Sequence, residues 1–521
     1  GNVARWLVQA GDSGPAVAGH FEEAGLPQDA AEQLETAALR ARRASRPAEE
    51  ATLWERAAAL WERLGRRARE FEALRESVRP RRLASGDIEA AATAEKLLSK
   101  ALSPLEQCAA KFEQACVNVF MERPAEALAM LKQVREMAMA ANAGAIVVEA
   151  TIRVGVALNR LDRFAETLTL LEEVRPQLDL CGLGVRGLYL NTLIPPLFAS
   201  HQLEQAVAIS RERLALMEQG EEWRGAAFAA TNLGFVLAEC GRLEAARAVS
   251  ERALHHLRRL GPVRGDAFAD IEVNCSAVLA SMGELGSALK ALQRSEAYLK
   301  AAHGARLQGL LNQLMDHLAA CHLLRNDAES AQGYLLQVVE DGSERVVEHA
   351  RRRMIQAVVA AVQTRDPSNW LQQARDIAVG SSQEVLLDIE IDACAAWCGI
   401  GASDPQALLA LEQRAWAIEQ GGLATRLAWY RVDALRRSGN VAAAALRARE
   451  LLDQPLWPTM LLPCHWLWIA QAALAAAGDP QAPAVAARAS EAHAMTLKDL
   501  GSLPGPPRDW QLAAAGSAVL A

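Results

Sequence analysis

The sequence predicts an all-α chain built as a right-handed superhelical solenoid of about twelve helical hairpins. The first sign is a stretch that says the same thing twice. AAFAATNLGFVLAECGRLEAARAVSERALHHL is followed by DAFADIEVNCSAVLASMGELGSALKALQRSEAYL, so that Asn232 meets Asn274, Gly241 meets Gly283, Leu243 meets Leu285 and Ala246 meets Ala288. Each copy is an apolar helical pattern, a Gly able to take the left-handed conformation that ends a helix, and a second helical pattern. The small Ala246 and Ala288 let the paired helices approach closely.

The second sign is that the hexapeptide around that turn recurs along the chain. RPAEEA 46–51, GDIEAA 86–91, ERPAEA 122–127, DRFAET 162–167, HQLEQA 201–206, GRLEAA 241–246, GELGSA 283–288 and NDAESA 326–331 match it. Weaker copies follow at RDPSNW 365–370, ASDPQA 402–407, GNVAAA 439–444 and GDPQAP 478–483, all at spacings of 36 to 43 residues. A fixed period of this size marks a repeat array whose units bury one another's apolar faces. The third sign is composition. Hydrophobic residues make up 51% of the chain, much of it Ala and Leu, and no window alternates apolar and polar residues as a strand would.

Taken in order, residues 1–80 form a helical segment that opens the array. Residues 81–340 are its regular part, 341–500 are degenerate repeats, and 501–521, with Pro504, Pro506 and Pro507, are a cap or tail. The opening holds a short helix, a Gly25-Leu26-Pro27 break, a long helix and a restart at Pro47. Between Pro455 and Gly478 no Asp, Glu, Lys or Arg occurs, but the internal prolines and the GDPQAP turn directly after make this a buried repeat helix rather than a membrane span.

The opening also carries a resemblance. His20, Phe21, Ala24, Gly25, Ala30, Ala37, Ala38 and Ala41 match a pattern found where a tetratricopeptide (TPR) region begins in large bacterial signal-transducing ATPases. These include transcriptional regulators similar to the maltose-regulon activator and the antibiotic-regulatory proteins. The resemblance implies a non-catalytic regulatory or sensor region of a multidomain ATPase, with a protein, peptide or small effector as partner. A stand-alone TPR scaffold or adaptor is the alternative. LuxR-type members end in a helix-turn-helix, which GSLPGPPRDWQLAAAGSAVLA does not contain, and Gly1-Asn2 suggests a tag remnant or a fragment of something longer. DNA binding by such a parent would therefore fall to a part upstream of Gly1.

The balance of 55 basic and 63 acidic residues, a net charge of −8, argues against direct nucleic-acid binding. Nine Cys without a regular framework point to a reduced, cytoplasmic setting, and no signal peptide opens the chain. No P-loop, H-E-x-x-H or nucleophile-elbow motif is present, so no cofactor, metal or enzymatic activity is expected. The carboxylates read as plentiful and solvated. GLGVRG at 182–187 reads as a loop between repeats rather than a dinucleotide site, and Gly11-Asp12-Ser13-Gly14 as chance. Arg351-Arg352-Arg353 reads as a solvated helix face. Cys394 and Cys398, one helical turn apart, read as buried thiols, since two ligands do not make a metal site. His255 and His256 point to different faces, and Asn274-Cys275-Ser276 carries no glycosylation meaning in the cytoplasm.

The candidate binding surface is the inner face of the first helix of each hairpin. In TPR proteins such as kinesin light chain, the residue nine positions before the turn lies there. The count gives Arg153, Thr192, Asn232, Asn274 and His317, with Asn191, Thr231, Asp270, Gln313 and Asp316 as neighbouring groove positions. An Asn suits such a place because its amide can both donate to and accept from a peptide group without adding charge.

Overall fold

Among the residues described by the computed structural model (2–9, 14–44, 46–120, 123–259, 265–300, 305–340, 345–400, 404–459 and 461–500), every regular element is a helix and no strand occurs. Helices α1 (Asn2–Gln9) and α2 (Pro15–Glu23) precede the array. The hairpins then run α3 (Pro27–Arg43) with α4 (Pro47–Arg63), α5 (Arg67–Ser85) with α6 (Asp87–Lys100), α7 (Pro104–Phe120) with α8 (Pro124–Ala140), α9 (Gly144–Arg160) with α10 (Phe164–Val174), and α11 (Leu183–Ala199) with α12 (Leu203–Gln219). They continue with α13 (Trp223–Glu239) and α14 (Leu243–Arg259), α15 (Gly265–Ser281) and α16 (Leu285–Lys300), α17 (Ala305–Leu324) and α18 (Ala328–Leu335), and α19 (Val346–Val362) and α20 (Ser368–Ala378). The last three are α21 (Glu384–Trp397) with α22 (Pro405–Ala417), α23 (Gly421–Arg437) with α24 (Val441–Leu452), and α25 (Pro463–Ala476) with α26 (Ala482–Leu500). Each turn found in the sequence falls between an odd-numbered first helix and its even-numbered second helix.

Local chemistry accounts for these boundaries. Pro27, Pro47, Pro124, Pro405 and Pro463 sit in the first turn of their helices, where a missing N–H costs nothing. The left-handed residue of the turn is Gly241 (φ 78) or Gly283 (φ 87) in the two clearest copies, and Asp162, His201 and Asn326 take the same conformation elsewhere. Ala246 and Ala288 are fully buried. A Cβ added to Gly234 would stand 3.1 Å from the Ser250 hydroxyl, so α13 and α14 are in close contact there. The apolar core is a string of clusters passed from hairpin to hairpin, the largest centred on Ile152, Leu190, Leu214, Leu233 and Ile271. His20 aside, much of the family-like opening pattern is packing: Phe21, Ala30, Ala37, Ala38 and Ala41 are buried together.

Several local expectations are revised. GLGVRG is not a loop: Gly182 precedes α11 and the rest forms its first turns, with Gly187 leaving space that Met217 fills. The three arginines are not a solvated face. Arg352 is 1% exposed and grips Asp316 through Nε (2.8 Å) and Nη2 (3.0 Å), Arg351 grips Glu390, and Arg353 pairs with Glu340. Nor are all carboxylates solvated. Glu50, Glu272 and Glu412 are buried and matched by Arg42, Arg294 and Arg447, because a buried charge must be paired to be tolerated. Cys394 and Cys398 are half-buried free thiols. His256 is buried against Glu218 at 2.8 Å while His255 faces outward. The uncharged 455–478 stretch contains α25, buried through Cys464, Leu467, Ala470 and Leu474, and no helix among the described residues is long and apolar enough to cross a membrane. Most of Gly11–Gly14 and all of 501–521 lie outside the described residues.

The array closes back on itself. The turn between α13 and α14 meets the start of α23 and the 455–459 segment: Trp457 N–H donates to the Gly241 carbonyl (2.8 Å), and any Cβ on Gly421 would overlap the Cys240 carbonyl. The turn between α15 and α16 meets α26, where Asp499 accepts from Ser287 N–H and Oγ. Glu419 accepts from Glu204 N–H at the start of α12, and Phe198 packs on the cluster of Leu386, Leu411 and Leu427. The hairpins from α21 to α26 thus seat on the edge of those from α11 to α16.

Candidate functional site: the concave channel

The first helices present a recurring stripe to the inside. On α13, Phe228, Asn232, Phe235 and Glu239 are accessible between neighbours that are mostly buried. The same spacing gives Asp270 and Asn274 on α15, Gln313 and His317 on α17, Arg351 on α19, Glu390 and Cys394 on α21, and Arg426 and Tyr430 on α23. Intervals of three and four residues put each set on one helix face.

The ten sequence-picked residues divide into two groups. Arg153, Asn191, Asn232, Asp270, Asn274, Gln313 and His317 are partly accessible on this stripe. Thr192, Thr231 and Asp316 are buried between helices. The Thr192 hydroxyl donates to the Leu188 carbonyl and its methyl faces Gly155, Thr231 donates to the Ala227 carbonyl, and Asp316 is committed to Arg352. On α11, the stripe residue is Asn191 rather than Thr192. These three are therefore packed between helices rather than on the accessible stripe.

Neighbouring hairpins are tied along the stripe. Asn232 Nδ2 donates to Asn191 Oδ1 at 3.1 Å, which leaves the Asn232 oxygen and the Asn191 amide uncommitted. Within α15, Asn274 donates to the carbonyl of Asp270 at 2.7 Å and keeps its own oxygen. His317 Nδ1 lies 3.5 Å from Ser276 Oγ, and Arg351 binds Glu390 through Nε (3.0 Å) and Nη2 (2.7 Å).

Electrostatics shows how enclosed the stripe is. Burial dominates the titration of Glu113, whose pKa rises to about 7 although Arg75 and Arg153 pull it down. Burial, helped by Arg351, drops His317 to about 4. Burial also raises Glu239, which feels Arg351 of α19, Glu390 of α21 and Arg426 of α23 at once. Burial likewise pushes Tyr430 to about 12, beside Arg426, Cys394 and Cys398. These side chains keep partial solvent access and are still strongly desolvated, as on a recessed face between packed helices. Burial works against the charge on Arg351, but Glu390 outweighs it and raises the pKa.

Arg351, Glu390, Arg426, Tyr430 and Glu239 were not among the sequence-derived residues, although Glu390 and Tyr430 lie nine positions before the left-handed Gly399 and Gly439. Among the described residues no cluster of His, Cys, Asp and Glu has the makings of a metal site.

No protein-family model matches the chain, and no curated protein matches it in sequence. Solved structures do. The chain is similar to a Rap protein complexed with competence and sporulation factor, at 12% identity and a TM-score of 0.53, over 67% of this chain and 97% of that one. A human IFIT1 dimer with m7Gppp-AAAA aligns at 12% identity and a TM-score of 0.37, over 92% and 89%. The chain has a TPR-like helical-repeat fold.

Proposed function

We propose that the chain is a non-catalytic sensor and interaction region that takes a peptide, a protein segment or a small effector into its concave channel. One observation carries this reading: consecutive first helices present polar side chains with unspent donors and acceptors, from Asn191 and Asn232 to Gln313, on one partly accessible face. Packing alone would favour apolar residues there. A similar fold is complexed with competence and sporulation factor in the Rap structure, in keeping with a ligand-binding role. The opening residues His20 to Ala41 support placing the region in a bacterial signalling ATPase, and within that class in a cytoplasmic transcriptional regulator. A stand-alone adaptor is the second reading, and the residues that adjoin this region in its parent distinguish the two.

The test is partner capture with the wild-type chain and with Asn232→Ala/Asn274→Ala. Helicity should be unchanged by circular dichroism, while the captured partner should fall at least tenfold. Equal capture by both proteins would contradict the channel as the binding surface.

A further inference from the structure

Where α23 seats on the end of α13, Glu239 of α13 lies within electrostatic reach of Arg351 of α19, Glu390 of α21 and Arg426 of α23, and Tyr430 of α23 lies beside Arg426. The proximity follows from the backbone, since Gly421 and Gly422 abut residues 238–241 and Arg426 lies one helical turn further along α23. Arg351 and Glu390 satisfy each other through two hydrogen bonds. Arg426 and Glu239 are different. Among the described residues neither makes a hydrogen bond or ion pair, and Arg426 Nε is shut away from solvent without an acceptor. Glu239 feels the charge of Arg426, but the two do not touch. Tyr430, one turn from Arg426 on the same face, also makes no hydrogen bond among the described residues.

An unmatched guanidinium and an unmatched carboxylate in a desolvated space are together complementary to a ligand with opposite ends. We propose that this chamber binds a small zwitterion. Its carboxylate sits on Arg426 and the Tyr430 hydroxyl, and its ammonium on Glu239. The four charged groups sum to zero, so a polyphosphate or nucleotide would meet the Glu239 and Glu390 carboxylates without enough cation to offset them. A free amino acid and a short peptide with free ends share the required chemistry. The proposal rests on the reading of the concave face as the ligand surface.

The experiment is affinity-selection mass spectrometry on the full chain with three probes: an equimolar mixture of the twenty amino acids, a randomised pentapeptide pool with free termini, and the same pool acetylated and amidated. The first or second probe should be retained and the third should not; which of the first two is retained identifies the source. Arg426→Gln and Glu239→Gln should each lower retention at least tenfold. Arg426→Lys, which keeps the cation, should lower it less, and Tyr430→Phe serves if Arg426→Gln does not fold. Retention of neither unblocked probe, equal retention of the blocked pool, or unchanged retention by Arg426→Gln would overturn the proposal. Blocked peptides retained by wild type and lost by Asn232→Ala/Asn274→Ala would overturn the zwitterion chamber but leave the channel as a ligand surface.

Discussion

Asp499 caps a helix 212 residues upstream: its carboxylate accepts from Ser287 N–H at 3.0 Å and from Ser287 Oγ at 2.8 Å, at the first turn of α16. The orphan amides at a helix start and the positive end of the helix dipole both favour a carboxylate there. Asp499→Ala should therefore cost on the order of 1 kcal/mol in urea melts. It should also speed amide hydrogen exchange at residues 286–288. Exchange at those amides equal to wild type would show that the cap contributes nothing to holding α26 in place.

The Arg352–Asp316 pair gives a sharper test of the core between α17 and α19. Removing one partner strands a buried charge, so Arg352→Ala should destabilise by ~3 kcal/mol or more. Arg352→Met/Asp316→Leu should recover much of that, because two apolar side chains can take the place of a buried ion pair. A double variant as unstable as the single one would mean that the pair is needed for more than charge balance.

Leu233 and Leu279 test the repeat core. Leu233 is 3% exposed and belongs to the largest cluster, whereas Leu279 is only partly buried against the next one. Leu233→Asp should cost several kcal/mol, roughly the penalty of an unpaired buried charge, and Leu279→Asp should cost less. The reverse order in urea melts would place the core on the other side of α15.

The pH dependence has two opposing parts. Glu113 has a folded pKa of about 7 against an ordinary 4.5, so the folded state holds the proton more tightly; stability is full below 4.5 and is lost as pH rises toward 7. His317 has a folded pKa of about 4 against an ordinary 6.5, so its contribution is full above 6.5 and is lost as pH falls toward 4. Glu113→Gln should gain on wild type as pH rises from 5 to 7, and His317→Gln should gain on it as pH falls from 6.5. Parallel stability curves for all three proteins would show that neither group titrates differently on folding.

The hairpins were legible because everything that makes them is local. The Gly241 and Gly283 turns, the Ala246 and Ala288 contacts and the first-turn prolines lie within one period of the chain. Closure was not legible, since Trp457 reaching Gly241 and Asp499 reaching Ser287 depend on small rotations summed over several hairpins. The binding stripe fell between. Counting back from each turn found Asn232, Asn274 and His317, but took Thr192 where the stripe uses Asn191. Near 400, ASDPQA set the ruler at 402 while the helix ends at left-handed Gly399, which hid Glu390. Tyr430 needed only that the count continue to Gly439. Arg351 was hidden in a run whose three side chains point to three different carboxylates, something that depends on where α17 and α21 lie.

Whether the concave face is an enclosed channel is tested most directly by small-angle X-ray scattering on the wild-type chain and on Gly286→Leu/Gly421→Leu. In this variant, added side chains collide with the backbone at Asp499 and Cys240 and force the two turns apart. Closure requires a compact wild-type profile that fits the structure over residues 14–500, and a larger radius of gyration in the variant with unchanged helicity. A wild-type profile already as extended as that of the variant would contradict it.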